Sequence, residues 1–257
     1  MVDDVRPIAI IPARGGSKRI PGKNLRPFFG HPMMAYGISA ALKSRLFQKV
    51  FVSSDDREIG RVAEWYGAEF VKRPPELATD TAKSIDAVTH VLGIAAERGI
   101  QPDCVCQVLP NCPLVTSADV IEHWNIFRRE NRSFQISVVN YRCVYPEWAL
   151  AADKEGRGEW LWGSQFLTRS QELSRAVCPT GAVWWVRRAE LLAQNTFYGS
   201  PFHLQEIDSN RGVDIDDDED LNLADLLVRG LTERDSRSPL ETVKASYFQR
   251  GQTCSTV

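Results

Sequence analysis

What most limits the fold of this chain is the alternation, from residue 7 to about 140, of short apolar runs with stretches of helical periodicity. Ile8 to Ile11 is a continuous apolar run ended by Pro12, the pattern of a strand buried on both faces. "HPMMAYGISAALKS" then predicts a helix: Pro32 suits its first turn, and Met34, Ile38, Ala41 and Leu42 recur at helical spacing. "KVFVSSDD" predicts a second strand and "AEFVKRP" a third. Between them, "REIGRVAEWYG" carries Ile59, Val62 and Ala63 on one face and Gly67 as a stop. "SIDAVTHVLGIAAERG" has an apolar stripe of Ile85, Val88, Val91, Leu92 and Ala95, with Ser84 as N-cap and Gly99 as stop. "DCVCQVLPNCP", "SADVIEHWNIFRRE" and "FQISVVN" continue the alternation as strand, helix and strand. The pattern predicts an α/β fold with a doubly wound, mainly parallel sheet. Such sheets bind ligands at the carboxyl ends of their strands, so the loops after Ile11, Ser53, Val71 and Leu109 should share one rim.

The rhythm breaks after residue 140. Residues 141–178, rich in Trp, Gly and charge, read as an excursion that serves as a lid, a substrate wall or a subunit contact. "GAVWWVRR" returns to strand, and "GVDIDDDEDLNLADLLVRG" reads as a strand end entering a helix. Residues 1–230 thus form one domain containing the excursion, and 231–257 a tail without periodicity that should fray. The 31 basic and 33 acidic residues leave a net charge of −2, which argues against a nucleic-acid binder. No stretch approaches the ~20 apolar residues of a membrane span, and "MVDDVRP" lacks the parts of a signal peptide. The expected compartment is the cytoplasm. Six scattered cysteines without a CxxC pair argue against a disulfide scaffold or zinc ribbon, leaving Cys104 and Cys106 as buried free thiols. His31, His90, His123 and His203 share no metal spacing, and Trp65 and Trp124 read as helix packing.

The loop after the first strand, "ARGGSKRIPGKN", carries the chemistry. Gly15 and Gly16 would let the backbone curl so that N–H groups face inward, while Arg14, Lys18 and Lys23 add positive charge. This suits a polyphosphate. The spacing is neither that of a P-loop nor that of a GxGxxG turn. Far along the chain, Asp214 and Asp216 stand two residues apart at a predicted strand end, so both side chains should point the same way. Two carboxylates facing a triphosphate make an oxygen site for Mg²⁺. Asp217, Asp218, Glu219 and Asp220 read instead as an acidic helix start favoured by the macrodipole. An EF-hand is excluded, since its sixth position lacks glycine.

"IIPARGGSKRIPGKN" resembles the signature of the CMP-nonulosonic acid synthetases, the cytidylyltransferases of sialic acid and its relatives. Later blocks match in order: "VSSDD", "KRPPELATDTAKSIDAV", "QVLPNCPLV", "RSQEL", "PTGAVWW" and "VDIDDDEDL", covering roughly residues 7 to 227. The resemblance implies a Rossmann-like nucleotidyltransferase fold, CTP and a nonulosonic acid as substrates, Mg²⁺, and a homodimer. It puts Arg14, Gly15, Gly16, Ser17, Lys18 and Lys23 on the triphosphate, Arg14 and Lys23 also stabilising transition-state charge. Asn24 would reach the ribose or base, Arg73 would hold cytosine, and Ser84 would lie near ribose and base. On the sugar side it implies Gln107, Arg169 and Gln171, with Trp184 and Trp185 beside the acyl pocket, one facing the sugar and one the core.

The chain also departs from the sialic-acid pattern. Asn111 and Cys112 stand where Thr or Ser followed by Ser is usual, Val115 where Arg is common, and Trp148 where a Lys often stands. A Trp there fits a less hydroxylated acceptor of legionaminic or pseudaminic type. "RIPGKNL" resembles the 3-deoxy-manno-octulosonate synthetases too, but "RSQEL" and "GAVWW" favour the nonulosonate branch. A module that binds nucleotide or sugar without catalysis is the other alternative, and the retained Asp214 and Asp216 argue against it.

Overall fold

The computed structural model describes residues 7–141, 144–163, 167–235 and 238–249. Its strands are β1 (Ile8–Pro12), β2 (Pro27–Phe28), β3 (His31–Pro32), β4 (Lys49–Ser54), β5 (Glu69–Lys72), β6 (Cys104–Gln107), β7 (Phe134–Asn140), β8 (Leu150–Ala152), β9 (Gly158–Trp160), β10 (Val177–Pro179), β11 (Trp184–Arg187) and β12 (Phe202–Glu206). The helices are α1 (Met34–Ser44), α2 (Arg57–Tyr66), α3 (Ser84–Glu97), α4 (Ser117–Arg129), α5 (Arg188–Gln194) and α6 (Asp218–Asp235).

Eight strands form one sheet with β5, β4, β1 and β6 side by side and parallel. Side chains alternate across it. Ala9 and Ile11 enter one core with α1, α2 and α4, while Ile8 and Ile10 enter the other with α3. This is why the first strand reads as an unbroken apolar run. The four parallel strands release their loops at one edge, as the alternation predicts. Beyond β6 the sheet turns mixed. β11 lies antiparallel between β6 and β7, β10 pairs antiparallel with β7, and β12 runs parallel to β7.

Helix ends follow local chemistry. The Asp56 carboxylate caps α2 by accepting the Glu58 and Ile59 N–H groups at 2.6 and 3.2 Å. Gly67 closes that helix at φ 97°, a conformation side chains resist. Two expected starts move. Pro32 lies in the β2–β3 hairpin, not in the first turn of α1, because Phe29 and Gly30 turn the chain at positive φ. Ser84 is the first residue of α3, and the cap falls one residue earlier, where Asp86 accepts the Lys83 N–H at 3.0 Å.

The C-terminal stretch differs from its reading as a fraying tail. Residues 238–249 lie across α1, α2 and the β2–β3 hairpin. Ser39 Oγ donates to the Thr242 carbonyl at 2.7 Å, Glu241 accepts the Ser117 N–H at 2.7 Å, and Tyr247 donates to Glu58 at 2.6 Å. Tyr247 is buried beside Trp65, so weak periodicity here reflects a strap fixed by single contacts rather than loss of packing. The expected tail beyond Gln249, with Cys254, and Cys143 lie outside the described residues. Cys104, Cys106 and Cys112 are buried free thiols, and no helix among the described residues is long and apolar enough to cross a membrane.

Candidate active site

The loop leaving β1 covers a cavity of about 390 Å³, with Arg14, Lys18, Arg19 and Lys23 on one side and Asn111 and Asp216 on the other. Its shape comes from few contacts. Gly22 turns at φ 66° ahead of a short 3₁₀ turn at Lys23–Leu25. Asn24, buried, donates from Nδ2 to the Arg14 carbonyl at 2.9 Å and so ties the two ends of the loop together. Ile20 sinks into a small apolar cluster with Phe28, Met33, Ile215 and Val228, which anchors the loop beside α6.

The glycines work differently from the sequence reading. The Gly15 N–H does not face the cavity; it donates to Asp55 at 2.9 Å. A Cβ at Gly15 would lie 3.0 Å from that of Asp56, so the residue is small because β4's end crowds it. Gly16 meets nothing within 4 Å, and neither glycine lines the cavity.

The acidic pair arrives from the other end of the chain. Residues 213–217 form no strand, which corrects the predicted strand end. The segment is pinned instead by the Ile215 N–H, which donates to the Asn111 carbonyl at 2.9 Å, and by the burial of Ile215. Asp214 and Asp216 therefore flank a buried residue, and Asn111 Nδ2 lies within reach of both carboxylates, but only Asp216 lines the cavity. Lys23 Nζ donates to the Ile215 carbonyl at 2.8 Å and to Asp216 Oδ1 at 2.9 Å, across 193 positions of sequence. Arg19 reaches the other oxygen of Asp216 at 2.7 Å. Asn111 Nδ2 donates to Asp214 and also contacts Asp216 Oδ1 at 3.4 Å.

The two carboxyls differ in proton affinity. Burial, then the charge of Asp216, raises Asp214 to about 6, against the pull of Lys23 and the Gly181 N–H. For Asp216, burial pushes upward too, but the hydrogen bond and charge of Lys23, followed by those of Arg19, win and hold it below the usual range. The remaining acids build the helix start: Asp217 accepts the Glu219 and Asp220 N–H groups at 3.0 Å, and Asp220 accepts those of Asp216 and Asp217 at 2.8 and 3.1 Å. Among the described residues no cluster of three or more His, Cys, Asp or Glu could hold a metal. Two carboxylates nevertheless suit Mg²⁺, which commonly takes one or two from protein and its other oxygens from phosphates and water.

A smaller cavity of about 170 Å³ adjoins the first through the shared walls Pro12, Arg14 and Leu109, and is closed by Arg73, Lys83 and Ser84. Arg73 is only 5% exposed and donates to Ser53 Oγ and its carbonyl at 3.0 and 2.6 Å. Burial, with Arg14 nearby, lowers its proton affinity, while Asp55 opposes this. Arg14 and Lys18 both pair with Asp80 from the segment before α3.

Residues expected on the sugar side do not gather here. Gln107 lies within β6, fully buried, with both side-chain polar atoms unpartnered; Leu109 and Asn111, further along the turn, reach the cavity instead. Arg169 and Gln171 are exposed and line neither cavity. Strand alternation puts the tryptophans on opposite faces of the sheet, but both are buried in core and neither lines either cavity. Trp185 packs in the core against Phe47, Trp124 and Phe127, while Trp184 lies on the Gln107 face and donates to the Thr180 carbonyl at 2.6 Å. Sequence reasoning missed Arg19, Asn111 and Asp80. Arg19 lies inside the quoted basic run but was not singled out, whereas Asn111 owes its place to a turn whose partner stands a hundred residues away.

Comparison with known proteins shows the family and the fold. The family described as cytidylyltransferase matches residues 8–145. The chain is 32% identical over 225 residues to a pseudaminic acid cytidylyltransferase of Campylobacter jejuni, covering 86% of this chain and 96% of that one. It is 31% identical over 217 residues to an N-acylneuraminate cytidylyltransferase of Escherichia coli, 84% of this chain but only 51% of that longer relative. A CMP-N,N'-diacetyllegionaminic acid synthase of Legionella pneumophila is 28% identical over 229 residues, 87% of this chain and 97% of its own. Among solved structures, a CMP:2-keto-3-deoxy-manno-octonic acid synthetase complexed with CTP shares the fold, with a TM-score of 0.65 at 18% identity over 90% of this chain and 99% of that one.

Proposed function

The chain belongs to the cytidylyltransferase family and catalyses CTP-dependent CMP transfer to a nonulosonic sugar, and from that premise we propose how its residues divide the work. The anomeric hydroxyl oxygen of the acid attacks the α-phosphorus of CTP. The bond from that phosphorus to the bridging oxygen breaks, pyrophosphate leaves, and the hydroxyl proton passes to a base or to solvent. Arg14, Ser17, Lys18, Arg19 and Lys23 hold the triphosphate and its developing charge. Arg73 and Ser84, in the adjoining cavity, take the nucleoside end. Asp214 and Asp216 would hold Mg²⁺, which would supply charge neutralisation for the triphosphate.

One observation carries the reading: the Lys23 ammonium and the Asp216 carboxylate, 193 positions apart, meet at 2.9 Å on the wall of a basic cavity. The acceptor we assign is a pseudaminic- or legionaminic-type acid, supported by Trp148 standing where a Lys often stands and by the relatives named above. A second copy of the chain completes the molecule in this reading. The β8–β9 ribbon is exposed along both strands and carries Leu150, Trp160, Leu161 and Trp162 into solvent. A lone two-stranded ribbon is marginal without cover. Sedimentation equilibrium giving only a monomer would remove that part. We place the reaction in the cytoplasm, where CTP is supplied.

Pyrophosphate release from CTP, measured with Mg²⁺ or EDTA and a panel of acids, tests the whole. Release should need Mg²⁺ and be fastest with the less hydroxylated nine-carbon acids. Equal turnover with N-acetylneuraminate would refute the acceptor assignment, and full activity in EDTA would refute the metal.

A further inference from the structure

We propose that Asn111 is the positioning residue that sets the spacing of Asp214 and Asp216. The inference rests on the cation role given to those carboxylates above, and it concerns what holds them. Residues 213–217 belong to no strand, so no ladder of backbone bonds fixes their register. Asn111 takes the place of a neighbouring strand. Its carbonyl accepts the Ile215 N–H at 2.9 Å and its side-chain Nδ2 donates back to the Ile215 carbonyl at 3.1 Å. One residue thus clasps the peptide midway between the two acids from both sides.

The same nitrogen reaches both carboxylates, bonding Asp214 Oδ1 and lying 3.4 Å from Asp216 Oδ1. Lys23 is not equivalent: its bonds go to the Ile215 carbonyl and Asp216. A neutral donor shared by two anions draws their inner oxygens toward a common point without cancelling the charge a cation needs. Its two N–H groups go to Asp214 and the Ile215 carbonyl, with Asp216 Oδ1 a longer, shared contact at 3.4 Å, where a hydroxyl would have a single donor. Asn111 is itself held, 7% exposed, within the turn closed by the Cys112 N–H donating to the Leu109 carbonyl at 3.4 Å. The clasp is therefore rigid on the side of β6 and transmits that rigidity to a segment with none of its own.

The test uses Mn²⁺ as the probe and CTP without acceptor, so that no turnover occurs. Electron paramagnetic resonance gives the affinity of Mn²⁺ for the protein–CTP complex in wild type, Asn111→Ala and Asn111→Ser. Residues that orient metal ligands typically contribute about 10- to 100-fold to affinity or activity. Asn111→Ala should weaken Mn²⁺ by about 10-fold or more and lower kcat similarly, while KM for CTP at saturating metal changes less than about twofold. Asn111→Ser, keeping one donor, should recover part of the loss and covers the case in which the alanine variant fails to fold. Wild-type Mn²⁺ affinity in both variants overturns the proposal. So does a rise in KM for CTP with metal affinity unchanged, which would make Asn111 a nucleotide contact, and so does a wild type that binds no Mn²⁺. Because the readout is binding, a wild type that holds Mn²⁺ and CTP yet releases no pyrophosphate with any acid would refute the proposed transfer and leave the clasp standing.

Discussion

Replacing Lys23 separates the two things its ammonium does. In the free protein it donates to the Ile215 carbonyl at 2.8 Å and to Asp216 at 2.9 Å, with its side chain 15% exposed. Hydrogen bonds to charged groups contribute about 1.5–3 kcal/mol each. Asp216 keeps Arg19, and its side chain is 39% exposed, so water screens part of what is lost. Lys23→Met should therefore cost stability at the lower end, about 1 to 2 kcal/mol. The catalytic loss should be larger, because a preorganised cation in a cavity acts on charge that grows in the transition state. Removing one such donor typically lowers kcat by about 10²- to 10³-fold. Lys23→Arg keeps the charge but spreads it over a planar fork, which cannot reproduce two bonds from one point, so recovery should be partial. Urea unfolding gives the first quantity and steady-state pyrophosphate release the second. A Lys23→Met enzyme with kcat within threefold of wild type would refute the assignment of Lys23 to the reacting charge. A stability loss with no kinetic loss would make it a structural tie between loop and acidic segment.

Two further predictions concern packing. His123 is buried in α4 with both ring nitrogens unpartnered, and burial lowers its proton affinity to about 4, slightly offset by Asp119. Above pH 6.5 neither folded nor unfolded His123 is charged. Between 6.5 and about 4 only the unfolded form binds the proton, so stability falls as pH falls, by about 2 kcal/mol at pH 5; the urea midpoint of wild type should fall over this range by more than that of His123→Leu, and a parallel pH dependence in the two proteins would contradict it. Gly181→Ala would put a Cβ 2.0 Å from Leu109 Cδ1 and 2.7 Å from its Cγ, a clash worth about 1–3 kcal/mol. Leu109 walls both cavities, so the variant should also raise KM for CTP; an unchanged KM would mean that Leu109 yields away from the nucleotide.

How much of this was legible in the sequence depended on the range of the cause. Ile8–Ile11, the α2 stripe and the Gly67 stop are set within a few residues, and each stands where periodicity puts it. The rim of loops follows from the same alternation, because parallel strands joined by helices must release their loops at one edge. Gly15 shows where local reading stops. From sequence it is a supple residue in a basic loop; in the structure its N–H is taken by Asp55, and Asp56 leaves no room for a side chain. The insertion of β11 between β6 and β7 was equally hidden, since "GAVWWVRR" reads as a strand but carries nothing that names its neighbours. The strap at 238–249 is held by isolated polar contacts, which leave no period to find.

The antiparallel return of β11 also explains why the acidic pair could be found by pattern while its support could not. β11 pairs with β6, and the turn after β6 bonds back to the residues just before β11: the Leu109 N–H donates to the Gly181 carbonyl at 3.1 Å. The Gly181 N–H in turn acts on Asp214, and Thr180 Oγ1 donates to the Gly212 carbonyl at 2.6 Å. The rim turn, the entry to β11 and the acidic segment thus form three adjacent layers of backbone, each bonded to the next. Charge alone would draw Lys23 and Asp216 together, but it would leave Asp214, raised to about 6 and short of a full cationic partner, free to turn away. The backbone layers remove that freedom. The site therefore needs the mixed half of the sheet as well as the parallel half: the parallel strands deliver the basic loop, and the reversed strand β11 carries the frame on which the carboxylates stand.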